Sequence, residues 1–331
     1  MLFASPFFTG LSLSIFLLQR APMNLTSSTS TTQPQGLVSR MGNFIDRTFQ
    51  YWTIAPLVIV LLLLVAYPCV QLLRMSVSEV DIVKGQTVWT FVGLKHLETA
   101  IQDPVVPIAL KNTLVFVVAV VIIETFLSLL NSILVSRSRH LVGLYRTVLL
   151  IPLLVPPIAI GTMWRLMYDY NYGFINQVLA VIGIAGPTWT ASPKLAMPSL
   201  ILVDIWHWTS FMFLIILAGL ESQPLELNEA ARVDGATEMQ ILRHITLPLL
   251  RPTLVTAVML RTIFAFKVFD EIFLLTGGGP GTATEVVSLY IYKVFSGQFR
   301  LGYASFLALG LALIISVFVI FYRRLGQRAQ A

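Results

Sequence analysis

The chain has 331 residues, of which 56% are hydrophobic and only 11% charged, with a net charge of +6. Soluble domains carry about 25% charged residues, and a mean hydropathy of +0.81 excludes a water-facing globule and predicts a polytopic membrane protein. The excess of basic residues includes no basic run beyond Arg323-Arg324, so it reads as membrane orientation and excludes a nucleic-acid partner on these grounds.

Residues 1–19 are apolar and no basic residue precedes them, which makes a poor secretory signal. Ser27–Thr32 has linker composition. Residues 1–48 are expected to form a flexible N-terminal extension, with Met1, Met23 and Met41 as candidate starts; a seventh span is the alternative. Six stretches then reach the roughly 20 apolar residues that a membrane-spanning helix needs. They lie at about 53–74, 111–135, 143–167, 197–220, 252–275 and 302–322. The expected fold is all-α, a six-helix bundle over residues 49–327. A soluble helical protein is excluded because its helices need polar faces, and Ile54 to Val70 holds no charge. The single cysteine, Cys69, excludes an internal disulfide and a cysteine-based metal cluster. Lying in an apolar run, it is expected to be a buried packing thiol. Pro152, Pro156 and Pro157 fall inside the third span, where a bundle can tolerate them.

Lys and Arg set the orientation. Arg20, Arg40, Arg47, Arg137, Arg139, Arg146, Arg232, Arg243, Arg251, Arg323, Arg324 and Arg328 fall on one side, which is assigned to the cytoplasm, against Arg74, Lys84, Lys95, Lys111, Arg165, Lys194, Lys267, Lys293 and Arg300 spread over longer loops on the other, a modest bias. The insert at about 225–248 falls on that side. Pro224 suits a helix start, and Glu226 to Val233 reads as a short helix with Leu227, Ala230 and Ala231 on one compact face. Asp234-Gly235 is a stop and turn, where glycine can take the left-handed conformation. Thr237 with Gln240 predicts a capping box for a second helix. Met239, Leu242 and Ile245 follow at helical spacing, and Pro248 turns the chain into the next span. An amphipathic hairpin lying on lipid is one reading. A protein partner suits the acidic Glu226, Glu229, Asp234 and Glu238 better.

Glu229-Ala230-Ala231, Gly235 and Ile245-Thr246-Leu247-Pro248 resemble, in full spacing, the EAA motif of inner-membrane permeases in binding-protein-dependent ABC importers. Phe91 to His96, Asp103-Pro104, Ala109 to Phe116, Ala218-Gly219-Leu220, Phe269-Asp270, Leu275 to Pro280 and Thr284 are similar to carbohydrate permeases of the MalF type. The resemblance covers about residues 50–325. It implies the type I importer permease fold, and a carbohydrate, polyol or related solute delivered by an external binding protein. It also implies a second permease subunit in a heterodimer and an ABC ATPase dimer that binds ATP and magnesium, with no cofactor on this chain. The setting would be the bacterial inner membrane. It assigns ATPase coupling to Glu229, Ala230, Ala231, Asp234, Gly235, Ile245, Leu247 and Pro248. Glu229 would be the charged anchor and Gly235 the turn.

No phosphate-cradling glycine-lysine loop, zinc-protease motif or nucleophile elbow is present. The four scattered histidines give no metal site. An enzyme is therefore not expected, and Gly277–Gly279 reads as a tight, mobile turn. Charges in hydrocarbon are costly, so each marks either a pairing or a path. Glu124, Asp204, Arg261, Lys267, Asp270 and Glu271 are candidates for the translocation path, with Trp206, Trp208 and Tyr292 available to stack on sugars or anchor at the interface. Pairs of Asp204 with Arg261 and of Asp270 with Lys267 are the structural alternative. An ion-driven carrier using Glu124 and Asp204 is the competing function, and it leaves the 225–248 insert without a purpose.

Overall fold

The computed structural model describes residues 37–83, 86–137 and 142–330. The expectations for the 1–19 run, for Ser27–Thr32 and for Arg139 lie outside them. The chain divides into two units at Leu64/Val65, inside helix α1 (Leu37–Ser76). In the first unit Leu57, Ile59, Leu62 and Leu64 are exposed, as lipid-facing side chains are. All the remaining architecture belongs to the second unit.

After α1 come β1 (Ser78–Val83), β2 (Gln86–Phe91), α2 (Lys95–Gln102), α3 (Val105–Arg137), α4 (Val142–Leu150), α5 (Pro157–Met167), α6 (Phe174–Val181) and α7 (Ala196–Glu221). Then follow α8 (Leu225–Val233), α9 (Glu238–Ile241), α10 (Leu247–Phe266), α11 (Asp270–Leu275), α12 (Val287–Tyr292) and α13 (Leu301–Gln330). Among the described residues five helices are long and apolar enough to cross a membrane, and the bent pair α4–α5 passes the same test when its two halves are taken together. The bundle is built around α3, α7 and α10. Ser128 Oγ donates to the Thr209 carbonyl at 2.9 Å and Ser132 Oγ to that of Phe213 at 3.2 Å. Small hydroxyl residues let α3 and α7 approach closely and bond across the interface, the usual way helices associate in lipid.

Several expectations need correction. The third span is not one helix. A 3-10 turn at Ile151–Leu154 separates α4 from α5, and the two cross at 95°. Proline has no N–H to donate and forces its predecessor to extend, and Val155 and Pro156 are extended at ψ 125° and 140°. Three prolines in six residues exceed what neighbours compensate. The fifth span ends at Phe266 rather than 275. Residues 267–269 are not helical, and α11 restarts at Asp270 and packs on α5. The polar cluster of Lys267, Asp270 and Glu271 interrupts the apolar run there. Cys69 is exposed, not buried, because it lies on the apolar helix α1, where burial against protein is not what hydrophobicity reports.

The β-hairpin was not expected. It is antiparallel, with Ser78 opposite Phe91 and Val83 opposite Gln86. Lys95 Nζ meets Glu79 at 3.0 Å, and the Arg74 guanidinium lies 4.4 Å from the Trp89 ring centroid. Next to it, Asp103 binds the start of α3 to the far end of the chain. It accepts from the Val105 amide at 2.9 Å, from the Tyr303 hydroxyl at 2.8 Å and from the Tyr290 hydroxyl. Burial by itself raises the Asp103 pKa, but these hydrogen bonds outweigh it and hold the carboxyl below its ordinary range.

Candidate functional site

The 225–248 insert forms two short helices at a turn. In α8, Gly235 follows the cap residue Asp234 with φ 83°. Its amide donates to the Arg232 carbonyl at 3.1 Å, and the Ala236 amide reaches back to Ala231 at 2.9 Å. This pair of bonds closes a helix C-terminus in the Schellman pattern. A side chain at Gly235 would meet open space, so the constraint there is backbone conformation alone. Thr237 and Gln240 make the expected capping box on α9. Arg232 Nε bridges the two helices to Glu238 at 2.8 Å, and Gln223 ties the insert's base to the Thr246 carbonyl at 3.1 Å. A wider π turn, Leu242–Thr246, leads into α10.

Most of the pair faces outward. Glu229, Ala230, Asp234 and Gly235 are exposed, while Ala231, Ile245, Leu247 and Pro248 are half-buried. The first four lie on the open face of the pair, and the last three lie where it joins α10. Val233 is 87% exposed and Met239 68%.

The intramembrane charges behave differently. Glu124 on α3, Asp204 on α7 and Arg261 on α10 meet in one cluster, each no more than 1% exposed. Arg261 Nη2 donates to Glu124 Oε1 at 3.0 Å, its Nε to Glu124 Oε2, and Nη2 also to Asp204 Oδ2. A guanidinium suits this task because its planar fork serves two carboxylates at once. The expected Asp204–Arg261 pair is present. Glu124 as a third member was not foreseen. Beside the cluster, His207 Nδ1 lies 3.1 Å from Glu271 Oε1, with both side chains buried.

A cavity of 280 Å³ opens next to Asp204, with Trp208, Phe264, Lys267, Phe269, Asp270 and Glu271 on its walls. Four of the six candidate residues, Asp204, Lys267, Asp270 and Glu271, therefore line it, and Arg261 and Glu124 join them through Asp204. The Trp208 and Phe264 rings stack with centroids 5.2 Å apart, and the Arg261 guanidinium sits 5.0 Å from the centroid of Trp208. Lys267 and Asp270 make no ion pair, contrary to expectation. The Lys267 ammonium lies instead 5.3 Å from the Phe264 ring centroid. Trp206 packs edge-on to Trp164, and Tyr292 edge-on to Phe269 and Phe273. The Gly277–Gly279 turn is braced, since Lys293 Nζ donates to the Gly277 carbonyl at 2.8 Å and to Glu285 at 2.6 Å.

Residues 125–331 match the family model of the binding-protein-dependent transport system inner membrane component. The chain belongs to that family. It is 35% identical over 279 residues to the trehalose/maltose transport system permease protein MalF of Thermococcus litoralis, across 84% of this chain and 93% of the relative. It is also 35% identical to the sulfoquinovosyl glycerol transport system permease protein SmoG of Agrobacterium fabrum, across 80% and 85% of the two chains. The fold matches a bacterial ABC transporter that imports alginate, with a TM-score of 0.76 at 24% identity over 87% of this chain and 99% of the other. The protein is thus a multi-pass inner-membrane permease subunit of an ABC importer, and it is not itself an enzyme. An ion-driven carrier has no support in this family.

Proposed function

We propose that this permease carries a carbohydrate, polyol or related solute inward, handed over by an external binding protein, and that the α8–α9 pair receives the driving force. The observation that carries this reading is the exposed helix-turn-helix between α7 and α10, closed by a left-handed Gly235 and holding Glu229, Ala230 and Asp234 outward. Such a surface has little to do for a bundle at rest. It suits a motor in the cytosol: an ATPase dimer, with ATP and magnesium bound there and not on this chain. A second permease subunit would complete the pore as a heterodimer. Residues 49–327 would form the transmembrane domain, with residues 1–48 as an extension outside it.

In the same reading the cavity beside Asp204 is the solute path. Its stacked Trp208 and Phe264 offer apolar faces for a sugar ring, and its carboxylates accept hydrogen bonds from hydroxyls. Carbohydrate as the class draws on the relatives named for trehalose, maltose and sulfoquinovosyl glycerol.

The coupling role is tested in proteoliposomes holding the complete transporter. Gly235→Val should lower ATP-driven uptake about tenfold or more, since a β-branched residue resists φ 83°. Gly235→Asn should keep most of it, because asparagine tolerates that region. Glu229→Lys should weaken retention of the ATPase on pull-down. Retention and uptake at wild-type levels in both Gly235→Val and Glu229→Lys would remove the coupling assignment.

A further inference from the structure

We infer that α6 lies in the outer face of the bilayer as a membrane-surface anchor, with the phospholipid interface itself as its partner. The helix is amphipathic in the reverse sense of a soluble one. Phe174, Val178 and Val181 follow at i, i+4 and i+7, so they share one face, and all three are exposed. Ile182 and Ile184, just beyond the helix, are exposed too. The polar residue is on the inside. Asn176, about 200° round the helix from Phe174, is buried. Its amide donates to the Tyr170 and Pro187 carbonyls at 3.2 and 3.3 Å, and its oxygen accepts from Trp189 Nε1 at 2.7 Å. Gly186 packs so close to Asn176 that no Cβ would fit there. The Trp189 ring stacks on Tyr168, whose hydroxyl donates to the Ser199 carbonyl in the first turn of α7. The helix is thus fixed between α5 and α7 with its apolar face turned out.

What covers that face follows from place and charge. Residues 168–195 join the end of α5 to the start of α7, at the opposite end of α7 from the α8–α9 pair, and the distribution of Lys and Arg puts that end outside. No charged residue stands between Asp169 and Lys194. Tyr170 and Tyr172 are exposed directly before the helix, and tyrosine collects at membrane surfaces because its ring suits lipid and its hydroxyl suits water. The segment follows directly on α5, which exposes Ile158 and Leu166 as a lipid-facing helix does. An external binding protein is a poor fit. It docks and leaves, so between encounters the face would stand bare in water, and a face without charge does nothing to steer the encounter. A helix lying in the interface keeps the same face covered at all times. The attachment draws on apolar burial and not on headgroup charge, so zwitterionic lipid suffices. It holds the outer ends of α5 and α7 at a fixed depth in the membrane.

The test uses the complete transporter in phosphatidylcholine nanodiscs, with Cys69→Ser, no other reactive cysteine in its subunits, and one nitrobenzoxadiazole label. The label sits at Val178→Cys, or at Gln86→Cys, exposed in the hairpin, as a water-facing reference. Phosphatidylcholine spin-labelled near its headgroup should quench the Val178→Cys label at least about threefold more than the reference, and aqueous iodide should do the reverse. Val181→Cys, on the same face, carries the measurement if Val178→Cys yields too little protein. Adding the external binding protein should change neither result. Iodide quenching equal to that of the reference places the face in water and overturns the anchor. Quenching by neither agent, or loss of the lipid quenching when the binding protein is added, assigns the face to a protein and overturns it equally.

Discussion

The Glu124–Asp204–Arg261 cluster and the α8–α9 pair hold the densest charge in the described residues, and they use it in opposite ways. In the cluster every charge is buried, and one guanidinium joins α3, α7 and α10. In the helix pair the charges are exposed, and the Arg232–Glu238 bridge leaves both side chains more than half open to solvent. The cluster is positioned to keep three helices in register. The pair holds its own shape through backbone turns and caps, and its outer face is exposed. A permease driven from outside needs both: a part that does not yield and a part that can be gripped.

The strongest way to break this comparison is Arg261→Ala. It leaves Glu124 and Asp204 as buried carboxylates with no cation between them. Removing one partner of a buried ion pair costs about 3–5 kcal/mol. We expect poor yield and a markedly lower unfolding midpoint in detergent. Glu124→Gln with Asp204→Asn and Arg261→Met, which removes the charges together, should recover much of that loss, since uncharged replacements avoid the desolvation of three ions. If the single variant melts like wild type, the cluster does not hold the bundle.

Asp103 grades the comparison, because it is neither as buried as the cluster nor as open as the helix pair. Two tyrosine hydroxyls and one amide bind its carboxylate. Asp103 is half-buried, so water can replace much of what two lost hydroxyl donors gave, and Tyr290→Phe with Tyr303→Phe should lower stability clearly, though less than Arg261→Ala. The folded carboxyl titrates below its ordinary 3.8. Its contribution is therefore complete above that value and lost as pH falls through the lower, folded one. The melting difference between wild type and the double variant should be full at about pH 6 and narrow towards about pH 3. A gap that stays constant over that range would mean that the tyrosines act by packing and not through the charge.

Legibility in the sequence followed the range of the interaction. Gly235 as a left-handed stop and Thr237–Gln240 as a capping box depend on residues within three or four positions, and both stand as expected. The apolar runs marked the spans because membrane thickness is itself a one-dimensional rule. The failures were of two kinds. Length and hydropathy did not register that Pro152, Pro156 and Pro157 together turn a span through 95°, or that Lys267 ends a helix. Nor could they assign partners: Glu124 and Arg261 are 137 residues apart, and no pattern along the chain selects between the available carboxylates. The hairpin left a local signal, β-branched and aromatic residues on both sides of Lys84-Gly85, too short to stand out beside runs of some 20 apolar residues.

The smallest expected effect separates the two regions most cleanly. Thr237→Ala removes the capping box on α9, and an N-cap loss costs about 1 kcal/mol. That cost should stay local. α9 is four residues long, and its cap is exposed, so the bundle's cooperative unfolding draws little on it. The unfolding midpoint should therefore barely move. Amide exchange at Gln240, whose N–H bonds to Thr237 Oγ1 at 3.4 Å, should rise about fivefold, as a 1 kcal/mol local opening requires. Hydrogen exchange by mass spectrometry on the reconstituted permease reads the local opening, and a thermal melt in detergent reads the midpoint. Should Thr237→Ala depress the midpoint as far as Arg261→Ala does, the helix pair unfolds with the core. It would then be part of the rigid bundle and not a separate surface that a motor can move.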